Sequence, residues 1–167
     1  MSGTPRRSLG IDLGERRIGL AIREDASAPR GLPTMMRRAT AAADSDRLRT
    51  IAAEGRVTEL VVGLPLNSDG SVGPQATATL RWATEVAEAL QLPITFVDER
   101  YSSQRAEASL GRAARGSNGG APGPARREAR RAAIDQEAAR LILEDALNPE
   151  LLIDPAVLAV GMRESAT

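Results

Sequence analysis

Three carboxylates in this chain stand where a bare negative charge is hard to accommodate. Asp12 ends a strand-like run, Ser8 to Leu13, in which Leu9 and Ile11 alternate with Gly10 and Asp12. Glu99 follows the apolar run Ile94 to Asp98, and the two-residue period of a strand sends Asp98 and Glu99 to opposite sides. Asp135 falls in a helical pattern with Ala138, Ala139 and Ile142 as turn neighbours, so it lies on the stripe that must dock on the rest of the fold. Carboxylates placed in this way need a cation or hydrogen-bond donors. Together they offer the hard oxygen ligands that Mg²⁺ or Mn²⁺ prefers. Two such ions about 4 Å apart activate water and steady the leaving oxygen in phosphodiester hydrolysis, with no histidine required. Each residue also has an ordinary alternative. Asp12 can open the turn at Leu13-Gly14, Glu99 can pair with Arg100 or Arg105, and Asp135 can be an acid in a helix's first turn. An arginine such as Arg17 or Arg131 would serve Asp135 as a partner in place of a metal.

Composition narrows the chemistry further. The chain has no His and no Cys, which removes disulfides, thiolate and imidazole metal ligands, cysteine nucleophiles and a histidine base. Its 167 residues, 42% of them hydrophobic, suit a single domain over 1–167 with a core at about 8–148 and an extension over 149–167. With one Phe, one Trp and one Tyr, that core must be Leu, Val, Ile and Ala. The N-terminal MSGTPRRS has no apolar segment of the secretory kind, and no apolar run reaches membrane-spanning length. A soluble, cytoplasmic protein with no membrane partner is expected.

Formal net charge is 0, but its distribution is uneven. Between Gly111 and Arg131 stand Arg112, Arg115, Arg126, Arg127, Arg130 and Arg131 against Glu128 alone. Every basic residue in the chain is Arg, whose planar fork matches phosphate in a bidentate way that Lys cannot. This stretch, interrupted by the Gly- and Pro-rich run Gly116 to Pro124, flanks the proposed acidic cluster and is expected to clamp a phosphate backbone. The scarcity of aromatics argues against extensive base stacking.

The elements that must position these residues follow from periodicity. Ser8–Leu13 and Ile18–Ile22 read as an antiparallel hairpin, with Leu32–Met36 as a third strand kept at an edge by Pro33. Ala39–Arg56 reads as a helix with Asp44 and Asp46 early and Arg56 late, as the helix dipole prefers, and with Gly55 at its end. Thr58–Gly63 is a short apolar strand of the kind sandwiched in a parallel sheet. The polar loop Leu64–Gly73 follows, with Ser71 as the expected cap of a helix running to about Gln91. Ile94–Asp98 returns to the sheet, Ser102 or Ser103 is expected to cap a helix to about Arg115, and Arg127–Leu147 reads as the last long helix. The apolar pieces Leu151–Ile153 and Val157–Val160 are expected to pad the sheet edge. The class is α/β, a mixed central sheet flanked by helices. Ligands of such sheets lie beyond the strands' C-terminal ends, where Asp12, the 64–73 loop and Glu99 all fall.

From about Leu9 to Leu147 the chain resembles the YqgF family of Holliday junction resolvases and pre-16S rRNA nucleases, an RNase H-like fold related to the RuvC resolvase. The resemblance rests on four motifs in order. D-x-G-x-x-R-I-G-x-A is complete as Asp12, Gly14, Arg17, Ile18, Gly19 and Ala21, and G-L-P-x-N-x-D-G-S runs from Gly63 to Ser71. D-E-R-x-S is Asp98 to Ser102, and D-x-x-A-A-x-x-I-L is Asp135 to Leu143. The resemblance implies that Asp12, Glu99 and Asp135 are catalytic carboxylates holding Mg²⁺ or Mn²⁺, and that Asn67 and Asp69 belong to a loop near the site. Arg17, Asn67, Asp69 and Arg100, with Arg126, Arg127, Arg130 and Arg131, are the expected substrate contacts.

The activity so implied is metal-dependent endonucleolytic hydrolysis, in processing of the 5′ end of pre-16S rRNA, with nucleic acid and ribosome precursors as partners. A resolvase of four-way DNA junctions is the first alternative, easiest to understand in a homodimer rather than a monomer. A non-catalytic nucleic-acid or ribosome-assembly module is the second. An ATP-binding lobe like those of sugar kinases also begins with an Asp-x-Gly hairpin, but it needs two lobes around its nucleotide, and 167 residues do not supply them.

Overall fold

The structure, a computed structural model, describes residues 3–100, 102–111 and 119–164. Alternation along the first strands decides how the layers stack. β1 (Arg7–Leu13) and β2 (Arg17–Glu24) are antiparallel, and the Gly14 N–H donates to the Arg17 carbonyl at 2.9 Å to close the turn between them. β3 (Arg30–Met36) pairs antiparallel with β2, while β4 (Glu59–Leu64) and β5 (Ile94–Asp98) run parallel to β1, giving the order β3-β2-β1-β4-β5. This is the expected mixed sheet, with Pro33 on an edge strand where its missing N–H is harmless.

The sheet has one bulky face and one small face. Leu9, Ile11, Ile18, Leu20, Leu60, Val62 and Leu64 pack with Leu48 of α1 (Ala41–Glu54) and with Leu80, Trp82, Ala83 and Val86 of α2 (Pro74–Leu90). On the other face Ala21, Val61 and Val97 meet Ala139, Ile142 and Leu143 of α4 (Pro124–Asp145). Glycines let α4 lie close there: a Cβ on Gly10 would stand 2.7 Å from the Ala139 carbonyl oxygen, and one on Gly19 would overlap the Asp135 carbonyl. Burying Ile142 and Leu143 against this face contributes about 1.5–3 kcal/mol each. α3 (Ser102–Leu110) covers α4 from outside through Ala106 against Ala138, Leu141 and Ile134.

Several local expectations are corrected. α1 is capped by Thr40, which accepts from the Ala43 N–H at 3.2 Å, and ends at Glu54, so Arg56 stands past the helix at φ 50°. Asp44 does not merely complement the dipole. It is fully buried, accepting from Trp82 Nε1 at 2.9 Å and from the Arg38 N–H at 2.8 Å, and so ties α1 to α2. Ser71 does not cap α2, whose N-cap is Gly73 with Pro74 in the first turn. Ser71 is drawn instead to Asp69 and Asn67, since two side chains and a backbone N–H are satisfied there at once. α3 has ended by Gly111, at φ 71°, while Arg112, Arg115 and the start of the 116–124 run lie outside the described residues. α4 begins earlier than expected, at Pro124, whose absent N–H costs nothing in a first turn.

Beyond α4, Leu152 forms an antiparallel bridge with Val97 and the Ile153 N–H donates to the Phe96 carbonyl at 3.1 Å, so the segment does pad the β5 edge. Val157–Val160 belongs to a further helix, α5 (Pro155–Glu164), in which Leu158 packs on the core while Val157 and Val160 are exposed. Among the described residues no helix is long and apolar enough to cross a membrane.

Candidate active site

β1 and β5 are both parallel to β4, so their C-terminal ends emerge together. Asp12 leaves β1 and Glu99 follows β5, on the face covered by α4, and the middle of α4 brings Asp135 in from above. The three carboxylates line one cleft of about 620 Å³, together with Gly14, Pro65, Asn67, Pro74, Gln75 and Arg100. Asp12 and Glu99 are in hydrogen-bond contact. Burial, then the charge and hydrogen bond of Glu99, then the charge of Asp135 push the Asp12 carboxyl well above its usual range.

Asp135 is on the sheet-facing stripe of α4, deep in a 22-residue helix, and not in the first turn. Its charge is met by Arg17 at the start of β2, whose Nε donates to Oδ2 at 2.6 Å, while Nη1 of the same guanidinium reaches Glu128 Oε1 at 3.1 Å. Asp135 also borders a second hollow of about 510 Å³, lined by Gly14, Glu15, Arg16, Arg17 and Arg131. The two hollows share Gly14 and Asp135.

The donor set suits a hard divalent cation in kind. Two carboxyls in contact, with the proton affinity of Asp12 raised, are stabilised by any positive charge between them. Among the described residues, however, no three acidic side chains form a ready-made cage. Asp12 and Glu99 touch, and Asp135 is held by Arg17.

The other expected residues divide into groups. Asn67 lines the cleft and donates to Ser71 Oγ at 2.8 Å, and Gly73 passes close under its side chain. Asp69 is exposed and accepts the Ser71 hydroxyl at 2.6 Å and its N–H at 2.9 Å, bonds that hold its carboxyl below the usual range and fix the loop. Arg100 lines the cleft, pairs with Asp98 at 2.8 Å and donates to the Ser68 carbonyl at 3.3 Å, so it links the loops after β4 and β5. Arg131 belongs to the second hollow. Arg126, Arg127 and Arg130 do not line the carboxylate cleft. With Arg131 they surround a mostly apolar groove of about 670 Å³ between α3 and α4, beside Leu110, Pro122 and Ile134. Arg127 donates to the Pro122 carbonyl at 2.8 Å and Arg130 to the Gly111 carbonyl at 2.5 Å.

Sequence reasoning did not single out Arg16, Gln75, Glu128 or the spacing role of Gly63. A signal existed for Gly63: it is the one small residue at the end of an otherwise bulky strand, and a Cβ there would overlap Glu99 Oε2.

The family described as "RuvX: Holliday junction resolvase" matches residues 6–149. A protein of Synechococcus sp. described as "Putative pre-16S rRNA nuclease" is 42% identical over 144 residues, which is 86% of this chain and 89% of that one. A Roseiflexus sp. protein of the same description is 35% identical over 150 residues, 90% of this chain and 99% of that one. Among solved structures, Thermus thermophilus RuvC in complex with a Holliday junction substrate aligns at a TM-score of 0.49 and 15% identity, over 88% of this chain and 98% of that one. By the extent of the family match and of the relatives' identity, the chain belongs to the YqgF/RuvX family of the RNase H-like superfamily.

Proposed function

We propose that this protein is a metal-dependent endonuclease that hydrolyses phosphodiester bonds in the processing of the 5′ end of pre-16S rRNA. One observation carries the reading: in a chain of this family, carboxylates from β1, from the end of β5 and from α4 converge on one open cleft, with two of them in contact. Asp12, Glu99 and Asp135 would hold Mg²⁺ or Mn²⁺, which when bound supplies charge for an attacking water and a leaving oxygen. The protein's own part is placement. Gly63 leaves room for the Glu99 carboxylate, Gly19 lets α4 bring Asp135 close, and Arg100 ties the loops that form the cleft wall. Asn67 and Arg100 line the cleft and Arg131 the adjoining hollow, which supports a role for them in meeting the strand beside the carboxylates. Relatives described as pre-16S rRNA nucleases favour the RNA substrate, and the description of the family itself favours a four-way DNA junction as the second reading.

The test is one purified preparation, of measured mass in solution, incubated with Mn²⁺ on a pre-16S 5′ fragment, unstructured RNA, single-stranded DNA and a four-way junction. Cleavage of the pre-16S fragment is expected. Paired symmetric nicks in the junction by a dimer, with RNA left intact, would make the resolvase reading primary. Binding without cleavage of any substrate would leave the assembly-module reading.

A further inference from the structure

Arg17 is shared between two acids of one helix. Its Nε holds Asp135 at 2.6 Å and its Nη1 holds Glu128 at 3.1 Å, and the two carboxylates stand two turns apart on the same face of α4. The pair with Asp135 is the more enclosed, while Glu128 is 55% exposed. Asp135 is also the charged residue common to the carboxylate cleft and the arginine-lined hollow, which share Gly14 besides. We propose that Arg17 and a divalent cation are alternative partners of Asp135, and that Glu128 is the arm that keeps Arg17 in place when the cation takes Asp135 over. The proposal rests on the nuclease reading above.

A guanidinium makes this exchange possible because its contacts use separate nitrogens, so one can be released while the other is kept. The exchange also changes the charge of the hollow. Arg16 and Arg131 line it without an ion-pair partner among the described residues, and Arg17 is offset there by Asp135 and Glu128. Once a cation engages Asp135, Glu15 is the one lining carboxylate among the described residues left to offset the three arginines, and the hollow becomes more positive beside the cleft. A phosphate of the strand adjoining the cleft is then attracted to it. By linkage, cation and nucleic-acid backbone each raise the other's affinity, with Arg17 as the positioning residue between them.

The experiment is Mn²⁺ binding to the intact chain at low salt, read by electron paramagnetic resonance of free Mn²⁺ and by calorimetry, for wild type, Arg17→Gln and Glu128→Gln. Arg17→Gln removes the competitor and is expected to bind Mn²⁺ roughly 3- to 10-fold more tightly than wild type. Glu128→Gln leaves Arg17 with Asp135 alone and is expected to bind roughly 2- to 5-fold more weakly. Because Glu128 is exposed, that variant reports even where Arg17→Gln folds poorly. The proposal is overturned where a folded Arg17→Gln binds no more tightly than wild type, or Glu128→Gln no more weakly. Wild type that binds no Mn²⁺ overturns the nuclease reading and this proposal with it; wild type that binds while both variants match it overturns this proposal alone.

Discussion

Gly63 lies directly under the Glu99 carboxylate, so closely that a Cβ on it would overlap Oε2 and stand 2.6 Å from Ile142 Cδ1. β4 is therefore bare at Gly63, on the side covered by α4, so that Glu99 can turn back over the strand and reach Asp12. Gly63→Ala is expected to destabilise the fold by about 1–3 kcal/mol through overpacking, and to lower cleavage more than that loss explains, since Glu99 is displaced. Urea unfolding followed by the single Trp82, buried and bonded to Asp44, measures the first, and cleavage by the fully folded fraction the second. Normal cleavage by a folded Gly63→Ala would show that the position of Glu99 is not limiting.

Asp12→Asn separates chemistry from stability. Burial and the neighbouring carboxyls raise the proton affinity of Asp12 in the fold, so its ionised form favours the unfolded chain. This group therefore takes stability away as pH rises from its unfolded value through its raised folded one. Without divalent metal at neutral pH, Asp12→Asn is expected to be at least as stable as wild type, and its cleavage to be abolished. A variant that melts lower, with cleavage intact, would reverse both halves of the argument.

At the far end of the same sheet face, Glu59 on β4 is buried and accepts from Arg6 Nε at 2.8 Å and Nη2 at 2.7 Å, as well as from the Ser8 hydroxyl. Arg23 beside it is buried too. It donates to the Leu143 carbonyl near the end of α4, and its Nε has no hydrogen-bond partner among the described residues. Despite burial, these bonds hold the Glu59 carboxyl below its ordinary range. Its stabilisation is present above the unfolded value of about 4.3 and lost as pH falls through the lower folded value. Glu59→Gln is expected to cost about 1–3 kcal/mol at neutral pH and to flatten acid unfolding below about pH 4.3. Equal acid unfolding midpoints for the two proteins would remove Glu59 as a cause.

Much of this arrangement was legible in the sequence. Asp12 on a strand end, Glu99 past another and Asp135 on an apolar stripe fall together because strand period, helix period and parallel crossovers leave little freedom. The local geometry was less so. Asp44 reads as a dipole acid because nothing in its neighbourhood announces Trp82, which arrives from α2 across 38 residues of chain. Ser71 reads as a cap because the competing partners Asn67 and Asp69 act through a turn that sequence spacing alone does not close. Along the chain the arginines of α4 form one basic run, whereas the helix sorts them around its axis. Arg131, on the face of Glu128 and Asp135, borders both the groove and the hollow that holds Asp135, whereas Arg126, Arg127 and Arg130 line the groove alone.

That sorting changes what the basic segment is expected to do. Neutralising Arg126, Arg127 and Arg130 removes charge from a groove away from the carboxylates, so substrate binding should weaken while the rate at saturating substrate is kept. Each phosphate that is no longer neutralised should lower the log-log salt slope of binding by something approaching 1 unit, less on a single strand. Arg131→Gln differs, because Arg131 lines the hollow that shares Asp135 with the cleft. It should lower the slope by a similar step and also slow cleavage at saturation, since a strand seated one phosphate away from its proper register presents the wrong bond to the carboxylates. Fluorescence anisotropy titrations at several salt concentrations, with single-turnover cleavage beside them, separate the two groups. A slope unchanged in the triple variant would make Arg126, Arg127 and Arg130 a solvated face of α4, and a normal single-turnover rate for Arg131→Gln would place the strand's path outside the hollow.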